Sequence, residues 1–294
     1  MFWLVENNKQ LQQFKDKNFK KVFIEPIWSN DNLHPSCAGI QGFYIREINY
    51  RKGFIVVVEH SEATSCDLDK VYELIGSYEE IFVRDKKEFL HIVPLKQLSD
   101  IYFISPTDIP DQFPCHDFFY RKYPHILNIG SIIPIVKHYE RCETIFNAVK
   151  HVFAMDKPKH FEFYNNKATH VFYWIEAMGL KVDPKLFEEH FGVERDWTYS
   201  QFNLKTTTTR PSNSFGGVNY AALDKKSGCR EAFIPDNDFL LEIDISAYHP
   251  TLAAQLVDFD FGEGDIHQAF ADMYGVDYKK AKELTFKQLY GGVF

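Results

Sequence analysis

The run Lys21-Val-Phe-Ile-Glu25 decides the fold of the N-terminal half, because it is an early member of a series of β-rich segments. Gly42-Phe-Tyr-Ile-Arg46 and Gly53-Phe-Ile-Val-Val-Val58 predict two further strands, and Glu80-Ile-Phe-Val83 predicts a short one after them. Before that last run, the apolar spacing over residues 68–74 is typical of a helix. Strands that alternate with helices indicate a layered α/β domain.

Length and composition limit the class of protein. The 294 residues leave room for one or two domains, and 45% apolar with 25% charged residues is the composition of an ordinary globular fold. The longest apolar stretch, near residues 54–58, is far shorter than the roughly 20 residues of a membrane-spanning helix. The start turns polar at Glu6 without a basic leader, so we expect neither a signal peptide nor a membrane segment.

The cysteines bear on the cellular compartment. Five cysteines are scattered along the chain, and no Cys-x-x-Cys pair occurs. This pattern predicts neither a zinc site nor a disulfide framework. We therefore expect an intracellular, cytoplasmic location, because unpaired thiols suit a reducing compartment.

The middle of the chain changes to a helical pattern. Residues 161–178 have helical spacing, and Gly179 lies where a helix C-cap glycine is expected. Asp183 and Pro184 then have the order of an N-cap and a first-turn proline, which predicts a second helix to about Phe191.

Charge divides the last third of the chain into three segments. Residues 201–231 hold five basic and two acidic side chains, residues 232–277 hold ten acidic and no Lys or Arg, and residues 278–294 hold four lysines and one glutamate. One interpretation is chance clustering on solvated faces. The other is a cation-binding acidic segment between two segments that contact phosphate. The net charge of −8 by itself argues against a general nucleic-acid binder.

Leu240-Leu-Glu-Ile-Asp-Ile-Ser246 predicts a strand that ends in an acid, Asp244, with Ser246 as the N-cap of the next helix. Carboxylate oxygens are the ligands that Mg²⁺ prefers, so Asp244 is a candidate metal ligand at a sheet edge. The alternative is that Asp244 is an ordinary cap or turn residue.

Residues 276–290 predict a helix on which Lys282, Phe286 and Tyr290 are spaced four residues apart and so share one face. A lysine, an aromatic ring and a tyrosine along one face suit a nucleoside triphosphate. The alternative is an amphipathic helix whose two aromatic rings lie in the core.

Several stretches resemble motifs of family A DNA polymerases, and they follow one another in the family's order. They are residues 206–219 with the lead-in Arg230-Glu-Ala-Phe233, residues 244–254, residues 265–270 with 274–276, and residues 281–291. This similarity covers about 90 residues, and it implies the family's palm and fingers.

The resemblance implies roles at the metal and the nucleotide. Asp244 and the carbonyl of Ile245 would hold the catalytic metals, which are two Mg²⁺ ions in the complete enzyme. Lys282 would bind the phosphates of a deoxynucleoside triphosphate, while Phe286 and Tyr290 would frame the nucleotide. A primer 3′-hydroxyl would then attack the α-phosphate.

It also implies contacts with primer–template DNA. Arg210, Asn219 and Arg230 would contact the nucleic acid. His249 belongs with the nucleotide-binding residues, because it stands where the family has the glutamate that distinguishes deoxyribose from ribose.

Residues 1–150 correspond by position to the family's 3′–5′ exonuclease domain, which has a ribonuclease H-like fold. That activity needs clustered carboxylates. The sequence offers Glu25, and Tyr139 with Glu143, whereas Pro26 follows Glu25 in the region where the family has a second acid. We predict a degenerate exonuclease site; the alternative is a nuclease that still uses Glu25, Tyr139 and Glu143.

The sequence thus predicts an α/β (α+β) chain with three parts: an exonuclease-like domain over 1–150, a helical connector or reduced thumb over 151–200, and a partial palm and fingers over 201–294. The function implied is that of part of a DNA-directed DNA polymerase. The family's second acidic motif, a His-Asp-Glu turn, is not found after residue 244, so this chain alone is expected to be inactive. The alternative is a non-catalytic DNA-binding or assembly subunit of a split polymerase, completed by a second chain. The compact, altered architecture suggests a viral origin.

Overall fold

The computed structural model describes residues 3–29, 34–109, 133–206, 210–213, 218–241, 243, 247–262 and 264–289. The chain folds as two compact units, residues 1–236 and residues 237–294. The finer division predicted at residues 150 and 200 stays a prediction. Among the described residues, no helix combines the length and the apolar composition that a bilayer crossing requires.

Six strands of the described N-terminal unit form one mixed sheet in the order β1-β4-β3-β2-β5-β6. The strands are β1 (Trp3–Val5), β2 (Lys21–Trp28), β3 (Ile40–Glu47), β4 (Phe54–Val57), β5 (Glu80–Val83) and β6 (Leu98–Asp100). β2–β3 and β3–β4 are antiparallel, whereas β1–β4, β2–β5 and β5–β6 are parallel. The four strands predicted in this unit are confirmed, and this mixed sheet is consistent with the ribonuclease H-like arrangement that the resemblance implies.

The central strand β2 contains a proline, Pro26, which central strands normally exclude because proline has no backbone N–H. β5 pairs with β2 only from Lys21 to Ile24, so Pro26 lies beyond the end of that pairing. β3 continues beside it on the other side, with Phe43 opposite Pro26. The strand can therefore run past Glu25, where the sequence prediction ended.

Helices cover both faces of the sheet. Those described in this unit are α1 (Asn8–Lys15), α2 (Leu68–Gly76), α3 (Lys86–Leu90), α4 (Ile101–Ile104), α5 (Ile135–Val149), α6 (Thr169–Met178) and α7 (Pro184–Phe191). Because successive strand residues point to opposite faces, Val22 and Ile24 pack under α1, α2 and α3. Phe23 and Ile27 pack under α4 and α5.

The predicted helical region after residue 160 is confirmed. A π-helical turn, Phe163–Ala168, leads into α6, which ends at Gly179 with φ of +65°. Asp183 caps α7 by accepting hydrogen bonds from the N–H groups of Lys185 and Leu186, both at 3.0 Å. Short strand pairs follow, formed by β7 (Leu180–Lys181) with β8 (Trp197–Thr198) and by β9 (Phe202–Asn203) with β10 (Ser212–Asn213).

The C-terminal unit contains α8 (Tyr248–Leu256), α9 (Ile266–Tyr274) and α10 (Tyr278–Leu289). α9 and α10 pack together around small buried side chains, among them Ala271 and Ala281. The strand predicted over residues 240–246 is wrong for the residues described there: Leu240, Leu241 and Ile243 are exposed and belong to no strand. An apolar run becomes a strand only where a neighbouring strand accepts its backbone hydrogen bonds.

Gly42 on β3 lies too close to the backbone of β4 to carry a side chain. A Cβ atom there would lie 2.4 Å from the carbonyl oxygen of Val56, which is backbone and cannot move aside. Gly42→Ala should therefore lower the free energy of unfolding by about 1–3 kcal/mol in a urea titration.

Gly76→Ala is the control, because a Cβ there meets only Leu95 Cδ2 at 3.9 Å. Alanine favours the helix, so this variant should be neutral or up to about 1 kcal/mol more stable. Equal losses in the two variants would contradict the close approach of β3 to β4.

Candidate functional site

Glu25, the first residue of the predicted exonuclease site, is buried in β2 with 1% of its surface exposed. Arg84, which follows β5, donates hydrogen bonds to both carboxylate oxygens, at 2.9 Å for Nη2 to Oε1 and 3.3 Å for Nε to Oε2. Arg141 on α5 places its Nη2 3.5 Å from Oε1. The carboxylate is therefore neutralised inside the protein by two guanidinium groups.

Glu143 on α5 is held by a different set of donors. It accepts hydrogen bonds from the Tyr44 hydroxyl at 2.7 Å, Arg46 Nη1 at 2.6 Å and the Gly53 N–H at 2.9 Å. Burial and the Glu143 carboxylate raise the pKa of Tyr139 to about 12, so its phenol stays protonated near neutral pH. The predicted exonuclease residues thus lie on one face of the sheet, with Glu25 in one hydrogen-bond network and Tyr139 and Glu143 in another.

These residues do not fit a pair of Mg²⁺ ions. Two-metal catalysis needs carboxylate oxygens that converge on the ions and keep room for water or substrate. Here Glu25 and Glu143 direct their oxygens at arginines instead. A metal would have to displace a guanidinium group from each carboxylate.

A second charged cluster lies where the parallel strands β5 and β6 end, the edge at which α/β sheets usually bind ligands. Lys205 places its Nζ 3.0 Å from Asp85 Oδ2 and 3.6 Å from Asp100 Oδ2. Asp85 also caps α3, since its Oδ1 accepts the N–H of Glu88 at 3.0 Å. Asp100 Oδ2 accepts the N–H of Lys86 at 2.9 Å.

Burial and neighbouring charges shift the pKa values of the groups in this cluster in different directions. Although burial opposes ionisation of Asp85, the ammonium groups of Lys205 and Lys87 hold the pKa of that carboxyl well below its usual range. Burial and the Asp85 charge raise the pKa of Glu88 to about 7. Burial also lowers the pKa of Lys86 to about 8. Glu88 can therefore gain or lose a proton near neutral pH, as a general acid or base requires.

A third cluster joins His34, His91 and Glu176. Glu176 on α6 accepts hydrogen bonds from Lys87 Nζ, 2.9 Å from Oε2, and from the Phe202 N–H, 2.5 Å from Oε1. His91 Nε2 lies 3.2 Å from Glu176 Oε2. Burial and the neighbouring His91 lower the pKa of His34, which favours its uncharged ring.

Sequence reasoning missed the second and third clusters. Their members come from distant parts of the chain, and none of them forms a motif of fixed spacing. The run Asp85-Lys-Lys-Glu-Phe89 was the one local signal, because with Arg84 it makes five adjacent charged residues directly after an apolar strand.

In the C-terminal unit, Lys282 is exposed on α10. Phe286, one turn further on, is half-buried, with its ring centroid 6.0 Å from that of His267 on α9. His249 is exposed on α8. Three further predicted residues lie outside the described part of the chain: Asp244, Ile245 and Tyr290.

The predicted DNA-contacting residues are all exposed. Arg230 donates a hydrogen bond from Nη2 to the carbonyl oxygen of Leu223 at 3.0 Å, so its guanidinium holds a loop. The carbonyl oxygen of Arg210 accepts the Thr206 hydroxyl at 2.9 Å, and the Asn219 carbonyl accepts the Ala222 N–H. No contact among the described residues brings the three side chains together.

Comparison with known proteins does not assign this chain to a family. No family model matches the sequence, and no curated protein matches it. Among solved structures the chain is similar to Escherichia coli RNase D, an exoribonuclease involved in structured RNA processing, with 9% identity and a TM-score of 0.34. The match covers 60% of this chain and 47% of that one, and a likeness this weak supports no conclusion about activity.

The buried Glu25–Arg84 pair generates a prediction about stability. Arg84→Met should lower the free energy of unfolding by about 3 kcal/mol, because the buried Glu25 carboxylate loses its main partner. Adding Glu25→Leu to that variant should recover most of the loss, since the buried charge is then gone. Chemical denaturation of the single and double variants measures both effects.

The surface pair Lys20–Glu79 is the control, with 54% and 61% of the two side chains exposed. Lys20→Met should change stability by less than about 1 kcal/mol. Additive losses in the Glu25/Arg84 double variant would show that the pair is not coupled.

Glu88 generates a prediction about pH. Its carboxyl has a pKa of about 7 when folded, against an ordinary value of 4.5. Between those values the folded protein keeps a proton that the unfolded chain releases, so Glu88 makes stability fall as pH rises through this window. Glu88→Gln should remove on the order of 1–2 kcal/mol of that fall, measured by urea titrations at about pH 5 and pH 7.

The exposed Glu140 on α5 supplies the comparison, because it lies in a surface pair with Lys137. Glu140→Gln should leave the pH dependence of wild type unchanged. If Glu88→Gln also left it unchanged, Glu88 would be ionised throughout this range.

Proposed function

We propose that this chain is the N-terminal portion of a family A-type DNA polymerase. A ribonuclease H-like exonuclease domain without nuclease chemistry would precede the first segments of the palm and fingers. The order of the polymerase-like motifs along residues 206–291 supports this proposal, as does the mixed sheet over which the exonuclease-like residues lie.

The observation that carries the proposal is which lysines on α10 form ion pairs and which do not. Lys280 and Lys287 both contact Glu283, at 3.4 and 2.7 Å. Lys282 is exposed on the same helix and makes no ion pair with any described residue. Its ammonium can therefore meet the phosphates of a nucleoside triphosphate without first breaking an internal pair.

Phe286 follows Lys282 by one helical turn and would contribute to the nucleotide pocket. Its ring already contacts His267, so α9 fixes its orientation and leaves part of it for a base or sugar. α9 is itself fixed by Asp265, which caps it by accepting the N–H groups of His267 and Gln268 at 2.7 and 3.2 Å. The Asp-Ile-His segment would thus position the nucleotide-binding helix.

In the complete enzyme, Asp244 and the Ile245 carbonyl would hold Mg²⁺, which would activate the primer 3′-hydroxyl and stabilise the leaving group. Lys282 would bind the triphosphate, and Arg210, Asn219 and Arg230 would contact primer–template DNA. The N-terminal sheet would serve as a scaffold, because the arginine pairs of Glu25 and Glu143 oppose metal binding there.

An exposed apolar run favours a second candidate function, that of an assembly subunit of a split polymerase. Phe239, Leu241 and Ile243 are 69%, 72% and 82% exposed. Apolar residues grouped on a surface commonly mark a contact with another polypeptide. This candidate requires a second chain that carries the missing acidic motif.

Binding of a Mg²⁺–deoxynucleoside triphosphate tests the proposal. Lys282→Ala should weaken binding of a fluorescent deoxynucleotide about tenfold, because it removes one charged contact to phosphate. Lys287→Ala, on the same helix, should bind like wild type, since Lys287 is engaged with Glu283.

Equal binding by the two variants would remove Lys282 from the site and contradict the nucleotide-binding role of α10. Primer extension tests both candidates, because each predicts no synthesis by this chain alone. Metal-dependent synthesis by this chain that is lost in Asp244→Ala would contradict both, whereas synthesis only after adding a second chain would support the assembly subunit.

A further inference from the structure

Two histidines and a glutamate from three separate segments lie together in the N-terminal unit. His34 lies in the segment between β2 and β3, His91 follows α3, and Glu176 belongs to α6. One ring nitrogen of each histidine and one oxygen of Glu176 lie within 4.8 Å of one another. The side chains of His91 and Glu176 are 2% and 0% exposed, so these donors lie inside the protein.

The donor set selects a class of ion. Imidazole nitrogen together with a carboxylate suits Zn²⁺ and neighbouring transition metals, whereas Mg²⁺ and Ca²⁺ prefer oxygen ligands only. Tetrahedral bonds of about 2.0–2.1 Å place two ligand atoms roughly 3.3–3.4 Å apart. His91 Nε2 and Glu176 Oε2 are 3.2 Å apart and already have this separation.

Neighbouring groups orient the donors. The Ser36 hydroxyl lies 2.7 Å from Nδ1 of His34, and the His34 ring centroid is 5.1 Å from that of His91. The Phe202 N–H and the Lys87 ammonium fix the Glu176 carboxylate. Partners of this kind hold metal ligands in place and strengthen binding.

We propose that His34, His91 and Glu176 bind a divalent transition-metal ion, with Zn²⁺ as the probe. The ion would fix α6 to the end of α3 and to the segment after β2. This inference is independent of the polymerase proposal, because it concerns neither the Mg²⁺ ligand Asp244 nor the nucleotide-binding helix.

The position of Lys87 predicts the direction in which a substitution should change Zn²⁺ affinity. Its Nζ lies 2.7 Å from Glu176 Oε1, so its positive charge opposes a second cation at the same carboxylate. Lys87→Met removes that opposition and leaves Glu176 in need of a cation. The variant should therefore bind Zn²⁺ more tightly than wild type and gain more thermal stability from it.

Isothermal titration with Zn²⁺ and thermal unfolding test the site on the whole chain. At a hundredfold excess over Kd, Zn²⁺ should raise Tm by roughly 5–8 °C, and Mg²⁺ should not. His34→Ala and His91→Ala should each weaken Zn²⁺ binding by more than about 100-fold. Glu176→Gln is the third variant, and the histidine variants decide the test if it does not fold.

His138→Ala is the matched control, because His138 is a buried histidine on α5 that packs against His60 and is not a member of the His34–His91–Glu176 cluster. It should keep wild-type Zn²⁺ affinity. Cys37→Ser should also keep it, although this exposed thiol lies close to His34 in sequence.

Unchanged affinity in His34→Ala and His91→Ala would overturn the proposal, and so would the absence of Zn²⁺ binding by wild type. Loss of binding in Cys37→Ser would assign the ion to a thiol and overturn it as well. A Mg²⁺ response equal to that of Zn²⁺ would contradict the donor chemistry.

Discussion

The neutralisation of buried carboxylates by arginines on one face of the sheet is the constraint on which the N-terminal unit depends. Glu25 lies in the middle of β2 and cannot reach water, so Arg84 and Arg141 must compensate its charge. Glu143, which is only partly buried with 20% of its side chain exposed, pairs with Arg46 from β3. α5 covers this face with apolar side chains and also brings Arg141 and Glu143 next to opposite charges. Breaking such a pair costs more than forming it contributes, so these charges fix the arrangement of helix and sheet more than they raise stability.

Polar contacts made by an asparagine and two lysines hold the residues after α5 against the rest of the N-terminal unit. Asn165 donates to the Leu98 carbonyl oxygen and accepts the Asp100 N–H, at 3.0 and 2.8 Å, so it pairs with backbone groups of the edge strand β6. Lys205 reaches the carboxylates at the ends of β5 and β6, and Glu176 reaches Lys87. Residues 151–200, which the sequence indicates only as a helical connector, and Lys205 just after them are therefore tied to the sheet and to α3 by polar contacts.

Patterns that depend on neighbouring residues were predictable from the sequence. Asp183 and Pro184 begin α7, and Gly179 ends α6, because capping involves atoms within one turn of each other. α10 begins at Tyr278, two residues after the predicted start, since Asp277 caps it through the N–H of Lys280 at 3.0 Å. Leu240, Leu241 and Ile243, the described residues of the predicted strand over 240–246, belong to no strand, because strand formation depends on a partner strand elsewhere.

The sequence by itself determined strands β2 to β5, helix α2, the caps of α6 and α7, and the similarity to polymerase motifs, since each is a property of residues close together in the chain. Only the tertiary structure decided that Glu25 and Glu143 meet arginines, that Glu88 holds its proton to about pH 7, and that His34 and His91 meet Glu176. The physical reason is that desolvation and charge pairing act between side chains that the sheet and its covering helices bring together from distant positions. The spacing of residues along the chain does not predict those contacts.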